Sequence, residues 1–341
     1  MIAKLGRRLV WAVFVVWATV TIAFLVNQGL PSDPARMVAG PQARPQDVAK
    51  IRKSLHLDDP LRVQYIYFLR RLVHIGGTDT TSKAVAAEHG TCANVWRIHF
   101  DLGKSYQQRR PVVTILAERL PRTIFLALAA AFVQVALGVT AGVVAASRKK
   151  TAADRVAVGG SLLGISAPTF VIGVFLQWLF GYRLHLLPLD GWGSTTSEHL
   201  ASVVLPALTL GVFGAAYYTR IVRDEMIGQL AQDYVRTARA KGLSRSSVVL
   251  KHALRNALMP IVTILGVEIG TLVGGAIVTE SIFRWPGIGS LSVTALLDRD
   301  GPVIMGCVIV TSLAVVLSTL AVDLVYTALD PRLRVDSVTK R

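Results

Sequence analysis

From Leu9 to Val26 the chain reads LVWAVFVVWATVTIAFLV, with Thr19 and Thr21 as its only polar side chains. About 20 such residues are enough to cross the hydrocarbon core of a bilayer. Five more apolar stretches follow, so candidate spans fall at roughly 9–27, 123–146, 157–180, 200–221, 260–279 and 303–326. The 341 residues are 52% hydrophobic and 17% charged, against about 25% charged in ordinary soluble domains. The expected fold class is therefore all-α: a polytopic membrane protein with six transmembrane helices. The first run follows Lys4, Arg7 and Arg8 as a signal peptide would. Its length, and the lack of a small-x-small site in NQGLPSDPAR, predict an uncleaved first span.

Basic residues in short loops set the orientation. They crowd the amino terminus, the turn with Arg148, Lys149, Lys150 and Arg155, the stretch from Arg220 to Arg255, and the tail with Arg332 and Arg334. The opposite short loops carry only Arg183, Arg284 and Arg299, with Asp190, Glu198, Asp298 and Asp300 nearby. Both termini are thus expected in the cytoplasm. The basic segment 31–122 lies outside in this scheme, which its length permits, because long loops cross largely regardless of charge. The domain reading has four parts: an amino-terminal span at 1–30, an extracytoplasmic segment with amphipathic helices at 31–122, a five-helix core at 123–326, and a cytoplasmic tail at 327–341. A cytoplasmic loop at 223–259 interrupts the core. In the outer segment, Val48, Ile51 and Leu55 recur at helical spacing, while the small and polar residues 75–93 read as a loop.

The net charge of +16 raises the question of nucleic acid. The cations sit between apolar runs with no recurring aromatic-and-basic face, so no nucleic-acid partner is expected. Cys92 and Cys307 form no disulfide framework, and the seven histidines show no metal-ligand spacing. Gly103-Lys104-Ser105 mimics the end of a phosphate-binding loop, but Ile98 stands where that motif needs its first glycine. No catalytic constellation stands out, so the chain is not expected to be an enzyme, to bind a metal or to hold a cofactor itself. Pro168 and Pro206 predict kinks in spans 3 and 4, and glycines four apart (Gly138 and Gly142, Gly160 and Gly164, Gly266, Gly270 and Gly274) permit close helix contact. Two carboxylates, Glu268 and Asp323, lie at membrane depth, where an ionisable group is a functional candidate. Asp323 is near the interface with Arg332 and Arg334 beyond it. Glu268 either lines a path for a cationic solute or bonds across an interface.

The most informative stretch is RDEMIGQLAQDYVRTARAKGLSRSSVVLKHALRNALMP at 223–260. It is too polar to span and too regular to be a linker. A helix is expected over Asp233–Lys241, with Tyr234, Ala238 and Lys241 on one side, stopped by Gly242 as glycine commonly stops helices. Ser244 can cap a second helix with an apolar face of Val248, Leu250, Ala253, Leu254 and Ala257. Pro260 is expected where that helix enters span 5. Such a basic amphipathic pair could also lie on anionic lipid.

This stretch resembles the cytoplasmic loop of ATP-binding-cassette importer permeases, whose motif centres on a glycine. Anchored on Gly242, the leading positions are Arg236, Thr237 and Ala238 and the closing ones His252, Ala253, Leu254 and Arg255; Ala238, Gly242 and Leu254 match the general form. The variant DYVRTARAKGLS with KHALRNALMP is similar to the dipeptide and oligopeptide branch, the B-type permease. So are DLGKSY with RRPVVTILAERLPRT, SAPTFVIG, TESIFRWPGIGSL and VDLVYTALDPRLR. Residues 75–99 look like an insertion. The resemblance implies a type I importer permease in a bacterial-type cytoplasmic (inner) membrane. It implies pairing with a second homologous permease as a heterodimer, two ATPase subunits carrying ATP and Mg, and an extracytoplasmic solute-binding protein, beside membrane lipid. It further implies that Arg236, Thr237, Ala238, Arg239, Ala240, Lys241, Gly242 and Leu243, with His252 and Arg255, form the ATPase-coupling loop, and leaves Glu268 as a candidate for the translocation path. Di- or oligopeptides are the implied solutes, though similar permeases are associated with nickel, haem and glutathione. An ion-coupled secondary carrier, or a non-transporting scaffold or receptor, would share the spans but need no glycine-centred loop.

Overall fold

The computed structural model describes residues 2–29, 33–40, 42–75, 92–95 and 98–329. Helix dominates. The first span is α1 (Ile2–Gly29), followed by α2 (Pro34–Ala39), α3 (Pro45–Ser54) and α4 (Leu61–Leu72). Three short antiparallel strands come next, β1 (His74–Ile75), β2 (Cys92–Val95) and β3 (Ile98–Asp101), in the order β1-β3-β2. The ends of the stretch expected to be a loop are therefore strands, and residues 76–91 lie outside the described residues. The membrane core is built from α5 (Val112–Ser147), α6 (Ala152–Ser166), α7 (Thr169–Leu176), which continues as a π-helix to Arg183, and α8 (Thr196–Leu230). Then come α9 (Asp233–Ala240), α10 (Arg245–Ser247) with a π-helical extension Val248–Ala253, α11 (Leu254–Gly275), α12 (Ile277–Ile282), α13 (Ile288–Leu297) and α14 (Gly301–Leu329).

Among the described residues five helices are long and apolar enough to cross a membrane, and a bent pair brings the number to six if it crosses as one span. That pair corrects the single kinked helix expected over 157–180. The axes of Ala152–Ser166 and Thr169–Arg183 are bent by 102° from a straight line. Proline at 168 clashes with a helical predecessor, and Ala167 is indeed extended, at φ −80° and ψ 126°. Pro206 and Pro260, by contrast, lie inside continuous helices. Thr195 and Glu198 form a capping box that starts α8: Glu198 N donates to Thr195 Oγ1 and Thr195 N to Glu198 Oε2. Two of the four orphan donors at a helix start are met in this reciprocal way.

The chain divides into two compact units. One holds Ile2–Pro121 and Gly287–Leu313. Its core packs Val112, Ile115 and Leu116 against Ile288, Leu291, Val303 and Cys307, and a second cluster packs Val20 and Phe24 against Met305, Tyr65 and Phe68. The other holds Arg122–Pro286 and the end of the chain from Ala314. There Tyr218, Val222 and Met226 of α8 pack with Ala253, Ala257 and Ile261, and Trp285 packs with Leu126, Val203 and Ala207. The TESIFRWP motif closes this core: buried Glu280 accepts from Thr123 Oγ1 at 3.0 Å, and Trp285 Nε1 donates to the Arg122 carbonyl at 3.1 Å. The span 5 glycines Gly266 and Gly270 abut Val322 and Ser318 of α14, an ordinary packing use of small residues.

Candidate functional site

The stretch after span 4 folds as a tight hairpin of two helices. α9 ends at Ala240, and Gly242 sits at φ +76° in the left-handed region. Leu243 N donates to the Ala238 carbonyl at 3.3 Å and Gly242 N to the Arg239 carbonyl at 2.9 Å. This 6→1 and 5→2 pair is the Schellman ending, which satisfies carbonyls that a helix end would otherwise orphan. Ser244 then caps the next helix, its side chain accepting from Ser247 N at 3.4 Å.

One face of the hairpin is sealed. Val235, Ala238 and Val248 are buried together, with Leu230 against them. Ala238 thus faces inward and holds the hairpin closed. Arg236, Thr237, Arg239, Ala240, Lys241, Gly242 and Leu243 are all exposed. Leu250, expected on the apolar face, is exposed as well. The extension Val248–Ala253 is π-helical, and its wider turn rotates residue 250 away from a face that ordinary helical spacing would have given it. His252 and Arg255 line a cavity of about 540 Å³ with Tyr234, Lys251 and Met259, and the Tyr234 hydroxyl bonds Gln229 Oε1 at 2.8 Å.

Two arginines, Arg223 of α8 just ahead of the hairpin and Arg245 of its second limb, bind the turn between α5 and α6. Arg223 Nε donates to Asp154 Oδ1 at 2.6 Å and Nη2 to Oδ2 at 3.2 Å. Lys150 N adds a third bond to Asp154, at 2.9 Å. Arg245 Nη2 donates to the Ser147 carbonyl at 2.6 Å. Arg223 and Arg245 were legible only as positive charge, and Asp154 carried no signal beyond its place among basic residues.

Glu268 lies on α11, where Tyr218 of α8 donates to its Oε2 at 2.7 Å. The wholly buried Gln134 of α5 faces the same carboxylate without a hydrogen bond of ordinary geometry. Two glycines clear this space: a Cβ on Gly214 would strike the Gln134 amide, and one on Gly138 would strike Tyr218. Neither Tyr218 nor Gln134 was singled out from the sequence, although a glutamine inside an apolar run is a readable signal. Asp323 falls within α14, and its side chain is outside the described set.

The Gly103-Lys104-Ser105 turn holds a carboxylate of this chain. Ser105 Oγ donates to buried Asp300, as do Tyr106 N at 3.1 Å and Gln107 N at 3.3 Å. Asp101 caps the turn by accepting from Gly103 N at 2.7 Å and pairs with Arg71 at 3.4 Å. Burial pushes the nearby Tyr106 phenol above its ordinary range, Arg71 opposing and Asp300 adding to the effect. Among the described residues no group of three His, Cys, Asp or Glu side chains could hold a metal ion.

The sequence matches two family models, the binding-protein-dependent transport system inner membrane component over residues 138–335 and its amino-terminal companion over 1–127. The chain belongs to this family. It is the permease component of an ABC importer, and permeases of this family work with ATPase subunits and a binding protein. The glutathione transport system permease protein GsiC of Escherichia coli (strain K12) is 36% identical over 328 residues, 96% of this chain and 97% of its own length. The GsiC protein of Shigella flexneri serotype 5b is 37% identical over the same length. A chain of the inward-facing MetNI methionine ABC transporter shares the fold, with a TM-score of 0.53 at 18% identity, covering 64% of this chain and 98% of that one. The likeness to that permease accords with the all-helical core.

Proposed function

We propose that this permease moves peptide-like solutes inward across the bacterial cytoplasmic membrane, paired with a second, homologous permease. ATP and Mg are held by two separate ATPase subunits, and a solute-binding protein delivers cargo from outside. Both termini and the 223–259 stretch face the cytoplasm, following the basic residues of the short loops. A peptide-like cargo is supported by the glutathione permeases, 36–37% identical along almost the whole chain. The observation that carries the coupling assignment is the hairpin itself. Its inner face is packed and its turn is hydrogen-bonded, while Arg236, Arg239, Lys241, Gly242 and Leu243 stand exposed at its tip. A closed hairpin passes on a push as a rigid body, and exposed cations meet carboxylates on a partner. When ATP closes the ATPase pair, the hairpins follow and the two permeases switch from inward- to outward-open. Glu268, whose carboxylate accepts from Tyr218 within this chain, is the candidate for the path between the permeases.

The test is to purify the permease from its native host, wild type beside Gly242→Asp, and identify the co-purifying proteins by mass spectrometry. The expected result is an ATPase pair and a second permease with the wild type, and loss of the ATPases from the variant. A wild-type chain that comes down alone, or ATPases retained by a variant with unchanged transport, would remove the assignment.

A further inference from the structure

The hairpin and the helix that leads into it are each tied by one arginine to the same turn. Arg223 lies in α8, two turns before that helix ends, and its guanidinium grips Asp154 with both arms. The Asp154 side chain is 7% exposed and that of Arg223 22%, so the pair is largely withdrawn from solvent. Such a forked, charge-assisted contact fixes orientation as well as distance. Asp154 stands in the first turn of α6, where a carboxylate also answers the helix dipole. Its Oδ2 takes the amide of Lys150, itself at φ +67°, so the grip extends through the turn backbone. Arg245 lies in the second limb of the hairpin and caps the opposite side of this turn. It donates to the carbonyl of Ser147, the last residue of α5, one of the carbonyls a helix end leaves without an internal partner.

We infer that the turn 147–154 is a receiving element for the hairpin's displacement, and that Asp154, Arg223 and Arg245 are positioning residues for coupling. The hairpin's own limbs continue into spans 4 and 5, so those helices move with it through the backbone. Spans 2 and 3 have no such continuity. Beside the packing of Gly138 and Gly142 on Tyr218 and Val222 of α8, the two arginines give a polar tie, Arg245 on the end of α5 and Arg223 on the start of α6. The inference rests on the importer reading and adds to it a route from the hairpin to the other half of the helical core.

The test uses the complete reconstituted importer in liposomes, with the second permease, the ATPases and the binding protein, and measures solute imported per ATP hydrolysed. Asp154→Asn, Arg223→Gln and Arg223→Lys are expected to lower this ratio by about tenfold, the factor that the loss of one strong charge-assisted contact produces. Arg245→Ala is expected to lower it by about threefold, since only a bond to a neutral carbonyl goes. The exchange Asp154→Arg with Arg223→Asp is expected to recover part of the loss. An unchanged ratio in intact complexes overturns the inference. So does a fall in melting temperature or assembly with an unchanged ratio in the complexes that remain, because the contacts would then serve stability alone. If the wild-type complex neither hydrolyses ATP nor imports solute, it is the importer reading that fails, before any variant is compared.

Discussion

The hydroxyl of Tyr218 and the carboxylate of Glu268 meet at 2.7 Å, joining the fourth span to the fifth. Tyr218 is wholly buried, so Tyr218→Phe takes the donor from a half-buried carboxylate without changing shape. A loss of about 1 kcal/mol is expected, in the range of hydrogen bonds between membrane helices. Glu268→Gln keeps an oxygen that can accept, and is expected to cost less. Melting curves of the purified permease compare the two. Should Glu268→Gln prove the more costly, the charge of the carboxylate matters to stability, and acceptance of the tyrosine proton is not its main role.

Gly242 has open space around it, so within this chain its requirement is conformational, while an added charge such as Asp acts on the partner contact. At φ +76° a β-branched residue carries about 1–2 kcal/mol of strain. Gly242→Val is expected to abolish stimulation of the ATPases by loaded binding protein, while Gly242→Asn, which tolerates this region, keeps most of it. ATPase rates of the assembled complex check the pair. Equal activity in both would mean that the hairpin turn need not be held.

Arg236 and Arg239 are exposed, and Arg236 pairs only loosely with Asp233, at 3.4 Å. Alanine at either is expected to leave the melting temperature unchanged. Each is worth at most about 1 kcal/mol of partner affinity, or about fivefold, in low salt. The effect should vanish near 1 M salt, where screening acts within about 3 Å. Titration of the permease with its ATPase at two ionic strengths decides the matter; a salt-independent loss would point to packing.

Asp300 collects three donors from the Ser105–Gln107 turn. Asp300→Ala strands them in a buried place, at about 1–3 kcal/mol for the worst placed. Ser105→Ala removes one donor and is expected to cost about 1 kcal/mol. Yield and melting temperature are the measurements, and a neutral Asp300→Ala would show that water replaces the carboxylate.

Much of this architecture is written locally. A run such as Leu9–Val26 declares a span because bilayer thickness acts on consecutive residues. The Gly242 turn is equally local: its glycine, the serine two residues on and the apolar positions around them sit within one short stretch. What escaped depends on distance or on helix geometry. Asp154 and Arg223 are 69 positions apart and Ser105 and Asp300 are 195 apart, so no spacing rule joins them. Leu250 was misplaced because a π-helical turn carries the same letters as an α-helical one. Pro168 signalled disruption, but a proline in the sequence does not distinguish a mild kink from a 102° break.

That break bears on how tall the third span is. Each half has 15 residues, Ala152–Ser166 and Thr169–Arg183, at most about 22 Å of helix at the α-helical rise of about 1.5 Å per residue, and the second is shorter because it is π-helical from Gln177 on. Neither half alone reaches across a hydrocarbon layer of about 30 Å. If the two lean equally from the bilayer normal at the observed 102°, together they rise at most about 28 Å, within reach of that thickness. Opening the chevron by a few degrees raises this crossing and closing it lowers it, with the hydrogen bonds inside each half untouched. Among the described residues, a broken span such as the third can therefore follow a thinning or thickening lipid layer by changing one angle, where a straight helix has only its tilt.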